Sequence, residues 1–396
     1  MKEEFYLDNA ATTCVADEVI QSIFETMENT WGNPSSLHQK GIEAHAVVEK
    51  ARKTIADYIN CKPSEIIFTS GACEANSLAI LGYLRSHYYE DIVTVQTKIE
   101  HKSIDSLRFS YEYNHHGGHL SGEWAEVNVN GLVDVVFLYS LLSDITFDGF
   151  LPFVSIQAAN SEIGSVQDIA KIGKTVHDFG GIFHCDATQL FPYQRIDVKK
   201  LGIDMMSMSG QKIHAPKGIG FLYVKEGIEL EPLIYGSQEL QRRAGTENIP
   251  YIVGLAKAIE LLDKKFKNQT LEQPDIYFVR NYMQNLLCEE IDDCIINGAN
   301  VEYKLPNNIN ISFKGIESES LLLMLNQHNI YVSAGSACNS GDSSPSYVLQ
   351  AIKVPEDYIR GTIRITLPDD FSFDEADYVV GVIKDCVERL RKFGEK

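Results

Sequence analysis

Between Val15 and Val224 the sequence alternates short apolar runs with longer segments of helical period, and this alternation constrains the fold more than any other feature. Glu65–Thr69 (EIIFT), Asp91–Thr97 (DIVTVQT), Phe153–Ala158 (FVSIQA), Gly181–Asp186 (GIFHCD), Asp204–Ser207 (DMMS) and Gly218–Val224 (GIGFLYV) read as strands, because short runs rich in Ile, Val and Phe suit a buried sheet. The intervening stretches read as helices. Ser35–Ile59 repeats apolar or small residues at helical spacing, and Asp168 opens the segment to Phe179 with the acid that a helix N-terminus favours. Such alternation builds an α/β fold around a mostly parallel sheet.

After about Ile249 the texture changes to a long helix ending near Lys267, a polar link through Asn268 and Pro274, and a second helix to about Glu290. The remainder reads as strand (Asn308–Phe313), helix (Glu317–His328), strand (Ile330–Ser333), a Gly/Ser-rich loop (Ala334–Ser346), strand (Thr362–Leu367) and a closing helix from Phe373. This is the pattern of a small α+β unit, and a domain boundary is expected near Ile249. With 396 residues, two or three domains of ~150 residues are in range.

Composition excludes several classes of function. The formal net charge of −20 repels nucleic acid and anionic lipid and favours a basic partner. The 8 cysteines include no CxxC pair and no paired metal spacing, which points to a reducing compartment. The start, MKEEFYLDNAATT, is acidic and polar where a signal peptide is basic and then apolar, and no apolar run approaches the ~18 residues of a membrane span. A cytoplasmic location is expected.

Three weak signals carry chemistry. At Thr69–Leu81 (TSGACEANSLAIL) a strand meets a helix with Gly71 at the turn, which aims backbone N–H groups and a positive helix end at one point, as a phosphate requires. An ordinary βα turn reads the same way. Gly181–Gln189 delivers Asp186 to the C-terminal end of a strand, where ligands of open α/β sheets bind; the same acid would also serve to cap a helix. In Met206–Val224, Lys212 stands in a loop flanked by Ser209, Gly210, Gly218 and Gly220. A loop lysine is usually a solvated charge, but in an enclosed site it becomes an amine nucleophile toward an aldehyde.

A phosphate cradle, a strand-end acid and a loop lysine in this order are the parts for holding pyridoxal 5'-phosphate, and the chain closely resembles the cysteine desulfurases, in the class V branch of fold-type I pyridoxal-phosphate enzymes. The likeness runs nearly end to end through YLDNAATT (Tyr6–Thr13), NPSSLH (Asn33–His38), SGACEAN (Ser70–Asn76), EHKSI (Glu100–Ile104), NSEIGSVQ (Asn160–Gln167), HCDATQ (His184–Gln189), SGQKIHAPKGIGFLYV, RRAGTEN (Arg242–Asn248), SAGSACNSG (Ser333–Gly341) and IRIT (Ile363–Thr366). It implies a large cofactor-binding domain over residues 15–258, with residues 1–14 and 259–396 forming a small domain that carries the catalytic loop 334–346.

The resemblance also implies roles. Lys212 would anchor the cofactor aldehyde and later shuttle protons; Asp186 would keep the pyridine nitrogen protonated; Gln189 would donate to the ring hydroxyl oxygen; His101 would stack on the ring and act as acid or base. Phosphate would rest on Gly71, Ala72 and Cys73, on Ser209 and Gln211, and on Thr246 from a second subunit, which implies a homodimer. Arg364 would clamp the substrate carboxylate, and Asn160 and Ser161 would also bind substrate, the Ser161 position orienting the substrate or the cofactor ring. Cys338, in a Gly/Ser/Asp-rich loop that cannot pack as core, would attack the sulfur of L-cysteine, leaving L-alanine and a protein persulfide. The spacing from Cys338 to Pro345 resembles the long-loop subgroup, whose arm would carry sulfur to an iron–sulfur scaffold or a tRNA-thiolation relay.

Four positions depart from the family's usual pattern: Gln211 for His, Cys73 for Thr, Ser161 for Asn, and Ile365–Thr366 for Phe-Ser. A selenocysteine or cystine lyase of the same family, or a weakly active paralogue that binds a sulfur carrier, are the alternatives. The cluster His115, His116 and His119 has no Cys or acid spacing to complete a site, so no metal is expected.

Overall fold

The computed structural model describes residues 4–107, 120–268, 275–334 and 345–394. Its centre is a seven-stranded sheet in the order β2-β8-β7-β6-β5-β3-β4. The strands are β2 (Ile66–Thr69), β3 (Ile92–Thr97), β4 (Leu120–Ala125), β5 (Leu151–Gln157), β6 (Ile182–Asp186), β7 (Met205–Ser209) and β8 (Gly220–Val224). The pairs from β4 through β7 are parallel, whereas β8 runs antiparallel to both β7 and β2. The C-terminal ends of β2, β3, β5, β6 and β7 therefore emerge on one edge. Such an edge is where a doubly wound sheet presents its loops to a ligand.

Buried strand residues such as Val93, Val154, Phe183, Met206 and Phe221 join the helices in one core, while the alternating Ile67, Phe153, Met205 and Leu222 pack with the helix Ala72–Ser86 in another. The expected helices are observed at Gln39–Ile59, Ile169–Asp178, Ile249–Asn268 and Asp275–Glu290. The Asp168 side chain caps its helix by accepting from the Lys171 N–H at 3.1 Å.

A second core gathers Leu287, Ile309, Phe313, Leu321, Ile363 and Val387 with Phe5 and Leu7 from the N-terminus. Here β12 (Thr362–Thr366), β10 (Asn308–Phe313) and β9 (Cys294–Ile296) form an antiparallel sheet, and β1 (Phe5–Tyr6) pairs in parallel with β11 (Ile330–Tyr331). The N-terminal segment is thus anchored in this core before it crosses to the edge of the large sheet. Three strands depart from the pattern expected of the sequence. β4 (LSGEWA) lacks an Ile/Val-rich signature, and β1 and β9 are two and three residues long. Each owes its conformation to the neighbour it pairs with.

A buried ion pair fastens the long connection after β8. Arg52 Nη1 and Nη2 donate to Glu239 at 2.7 and 2.9 Å, and the Phe68 N–H donates to the same carboxylate at 3.0 Å. Removing Glu239 takes away the buried acceptor of both Arg52 and the Phe68 N–H but leaves Arg52 its bonds to Glu49 and the Ile66 carbonyl at 2.9 and 2.8 Å, so Glu239→Ala is expected to lower stability by about 1.5–3 kcal/mol in denaturant unfolding. A loss below about 1 kcal/mol, the scale of an exposed pair, would show that the pair contributes little.

Candidate active site

One cavity of about 380 Å³ opens at the C-terminal edge of the large sheet. The turn after β2 places Gly71, Ala72 and Cys73 in its wall; the loops after β3, β5, β6 and β7 add His101, Asn160 and Ser161, Asp186 and Gln189, and Ser209, Gln211 and Lys212. Arg364 enters from β12 of the smaller sheet. Residues spread over nearly 300 positions meet because parallel strands all deliver their ends to one side.

Local geometry equips each group. Gly71 has φ of 151°, a conformation that side chains rarely adopt, and it caps the helix Ala72–Ser86 whose first turn points its N–H groups toward the cavity. Behind it, Gly220 packs so closely that a Cβ there would sit 2.3 Å from the Met208 carbonyl oxygen and 2.7 Å from the Gly71 Cα. Glu74 stabilises the turn by accepting from the Ser70 N–H at 2.7 Å and from Arg243 Nε at 2.7 Å.

Lys212 Nζ donates to the Ala10 carbonyl at 2.6 Å and also to that of Ala11, so the amine is held at the cavity wall by the N-terminal segment. Gln189 Nε2 donates to the same Ala10 oxygen at 3.0 Å. The buried Asp186 carboxylate accepts from Asn76 Nδ2 at 2.8 Å and from the Thr188 N–H at 3.0 Å. Asn76 Nδ2 also donates to Ser103 Oγ at 2.9 Å, and Ser103 Oγ lies 2.8 Å from His101 Nδ1. His101 Nδ1 accepts from the Ser103 N–H at 3.1 Å, which leaves the proton of the neutral ring on Nε2. A continuous polar chain thus runs from Asp186 to His101.

Arg364 is 3% exposed; its Nη2 donates to Asp8 Oδ1 at 2.7 Å and its Nη1 to the Ser161 carbonyl at 3.1 Å. Asn160 lines the cavity but commits its amide to the turn: Oδ1 accepts from the N–H groups of Glu162 and Ile163 at 2.8 and 2.9 Å, and Nδ2 donates to the Ile99 carbonyl at 2.9 Å. Asn160 therefore shapes the wall, and Ser161 contributes its main chain to Arg364. Both arrangements satisfy polar groups of the turn and its neighbours.

The chain matches the model of the family described as aminotransferase class-V over residues 5–379. It is 38% identical to cysteine desulfurase IscS of Dictyoglomus turgidum, covering 99% of this chain and 96% of that one, and 39% identical to a cysteine desulfurase of Trichormus azollae over 98% and 93%. Among solved structures, a NifS-like protein superimposes with a TM-score of 0.87 at 30% identity, covering 98% of this chain and 100% of that one. Another, described as SspA in complex with cysteine, does so at 0.77 and 31% identity, covering 93% and 99%. The chain belongs to the class-V aminotransferase family, among its cysteine desulfurases.

The residues present fit the family's cofactor. A glycine-cornered helix end with Ser209 beside it suits a phosphate, a braced buried carboxylate suits a ring nitrogen that must stay protonated, and a seated amine suits an aldehyde. Thr246 is exposed and stands apart from this cavity. Cys338, with residues 335–344 of the expected loop 334–346, lies outside the described residues, as do His115, His116 and His119. Among the described residues no group of three or more His, Cys, Asp or Glu is placed to hold a metal ion, and no helix is long and apolar enough to cross a membrane. Cys185 is fully buried and burial pushes its thiol well above the ordinary value, as expected of an inert core cysteine.

Sequence reasoning left Asp8, Asn76, Ser103 and Glu162 without roles, although each stands inside or beside a quoted motif. Their types were visible; their partners, up to 356 positions away, were not.

Proposed function

We propose that this cavity converts L-cysteine to L-alanine, with Lys212 as anchoring and proton-transferring amine, Asp186 and His101 as ring-side partners, Arg364 as carboxylate clamp and Cys338 as sulfur acceptor. The observation that carries the reading is the meeting of Lys212, Asp186, the Gly71–Cys73 helix end and Arg364 in one cavity. Pyridoxal phosphate, when bound, supplies an electron sink for charge developed at the substrate Cα.

The chain's own residues account for the rest. Ala72 and Cys73 N–H groups, Ser209 and Gln211 bind the phosphate; Gln211 brings no charge, so the helix end supplies the positive potential. Asp186, whose two oxygens each accept a hydrogen bond from the protein, holds a proton on the ring nitrogen. Lys212, with its amine free, would move the proton at the substrate Cα. The Cys338 thiolate bonds to the substrate sulfur as the Cβ–S bond breaks, and the electron pair stays with carbon, where protonation completes alanine. The persulfide then passes to an acceptor protein, and the net charge of −20 favours one with a basic face. After incubation with L-cysteine, mass spectrometry is expected to find one added sulfur on the peptide containing Cys338; sulfur on another cysteine instead would reassign the acceptor.

A division into a large unit and a small one that takes in the N-terminus is supported by the two separate cores, one of which includes Phe5 and Leu7; Ile259 and Leu262 of the helix Ile249–Asn268 pack in the large core, which argues for a boundary after that helix in place of one at residue 258. Homodimerisation is supported by an exposed apolar stripe. Ile20, Phe24, Met27 and Trp31, at helical spacing, are 52%, 55%, 52% and 69% exposed, and Leu37 and Ile42 lie nearby in sequence at 94% and 55%. A second copy covering it would give Thr246 a role the isolated chain does not. Phe24→Glu with Trp31→Glu is expected to convert a dimer to monomer in sedimentation and to weaken cofactor retention; a parent protein that sediments as monomer would end this reading.

A further inference from the structure

Three acids line the cavity: Asp186 is used by the scheme above, Glu74 is held by Ser70 and Arg243, and Glu162 has neither role nor such a partner. Its side chain is 2% exposed, and neither carboxylate oxygen makes a well-formed hydrogen bond, whereas its main-chain carbonyl accepts from Asn310 Nδ2 at 3.1 Å. Beside it Arg364 keeps Nη1 and Nη2 occupied but leaves the buried Nε–H without an acceptor. The two groups do not bond one another, so one wall of the cavity holds two orphaned polar groups. A buried polar group without a partner is costly, and two in one ligand cavity indicate that a ligand completes them. A carboxylate supplies two acceptor oxygens, enough for both.

We propose that Glu162, held as the neutral acid, is a second substrate-binding residue that donates its O–H to the same substrate carboxylate that Arg364 binds. This rests on the reading of Arg364 given above. The charge balance around Glu162 supports it. Arg364 from β12 is the cation bearing on it, and Asp8 of the N-terminal segment already partners that cation; β10 faces it with the amides Asn308 and Asn310, and Ser346 approaches before the helix Tyr347–Ala351. Burial pushes the Glu162 carboxyl up to about 7, with the Ser346 hydroxyl and the Arg364 charge opposing that rise. A carboxylic acid kept neutral by its surroundings is an effective donor to an anion.

The sign follows. The neutral form binds, so affinity for an amino-acid carboxylate is retained below about pH 7 and falls as Glu162 ionises, by up to tenfold per pH unit. Calorimetric titration of the holoenzyme with L-alanine, which carries the carboxylate but no thiol, is the test. The parent is expected to lose affinity across about pH 7 to 9 relative to Glu162→Gln, and to take up close to one proton on binding at about pH 8 that the variant does not. Ethylamine, which lacks the carboxylate, is expected to show neither difference. Parallel pH profiles for parent and Glu162→Gln, or the same difference with ethylamine, would overturn the proposal. If Glu162→Gln fails to fold or load, the absence of proton uptake by the parent overturns it alone. Failure of the underlying reading is distinguishable: Arg364→Gln would then leave L-alanine affinity unchanged.

Discussion

Lys212→Ala is expected to emerge from purification without the visible absorption of a lysine-anchored pyridoxal cofactor, and to form alanine from L-cysteine at a rate lower by at least about 10³, or about 4 kcal/mol in the barrier. Two separate tasks disappear with one amine. The first is anchorage: Lys212 Nζ sits on the Ala10 and Ala11 carbonyls, a seat that holds a nucleophilic amine at the cavity wall. The second is proton transfer at Cα, for which a positioned base contributes about 10²–10⁴. Absorbance spectra of parent and variant at equal protein concentration, with alanine assayed in parallel, check both. An unchanged visible band in Lys212→Ala would place the anchor on another residue. Because the loss is chemical, added primary amine is expected to restore part of the proton-transfer rate and none of the covalent anchorage.

Cys338→Ser is expected to separate cofactor chemistry from sulfur chemistry. The variant keeps Lys212, Asp186 and the phosphate turn, so it is expected to bind the cofactor normally and to change its spectrum when L-cysteine is added. Sulfide release under reductant, however, is expected to fall by at least about 10³, since a hydroxyl is far too weakly ionised near neutral pH to attack sulfur and a serine cannot store it as a persulfide. The same variant is expected to lose the sulfur adduct from its loop peptide. Sulfide at the parent rate would show that elimination, or another cysteine, does the work. Cys185 is a poor substitute, being fully buried with its thiol raised well above the ordinary value; Cys73 is exposed and lines the cavity, which makes it the residue to inspect in that event.

Much of the fold was legible because buried parallel strands carry their signal in composition. EIIFT, DIVTVQT and FVSIQA correspond within two residues to β2, β3 and β5, and Asn308–Phe313 coincides with β10. The edge strand β4 escaped because LSGEWA is held by pairing with β3 and has little propensity of its own. Strand ends were also legible, and with them the order in which Gly71, His101, Asp186 and Lys212 reach the sheet edge. Contacts between distant segments were not. Asp8 reads as one acid in a polar N-terminal run until Phe5 and Leu7 lock that run into the smaller core and bring it against Arg364.

The sequence by itself determined which chemical groups stand at which strand ends, because strand and helix periodicity is a local property of neighbouring residues. It also determined that a lysine, a strand-end acid and a glycine turn occur in the order that a pyridoxal site needs. The tertiary structure alone decided their states. His101 turns Nδ1 to the Ser103 N–H, Asn160 is consumed by its own turn, and burial among segments from both cores raises the Glu162 carboxyl to about 7. Desolvation and hydrogen-bond occupancy depend on what packs nearby in space, and in this chain those neighbours come from opposite ends of the sequence.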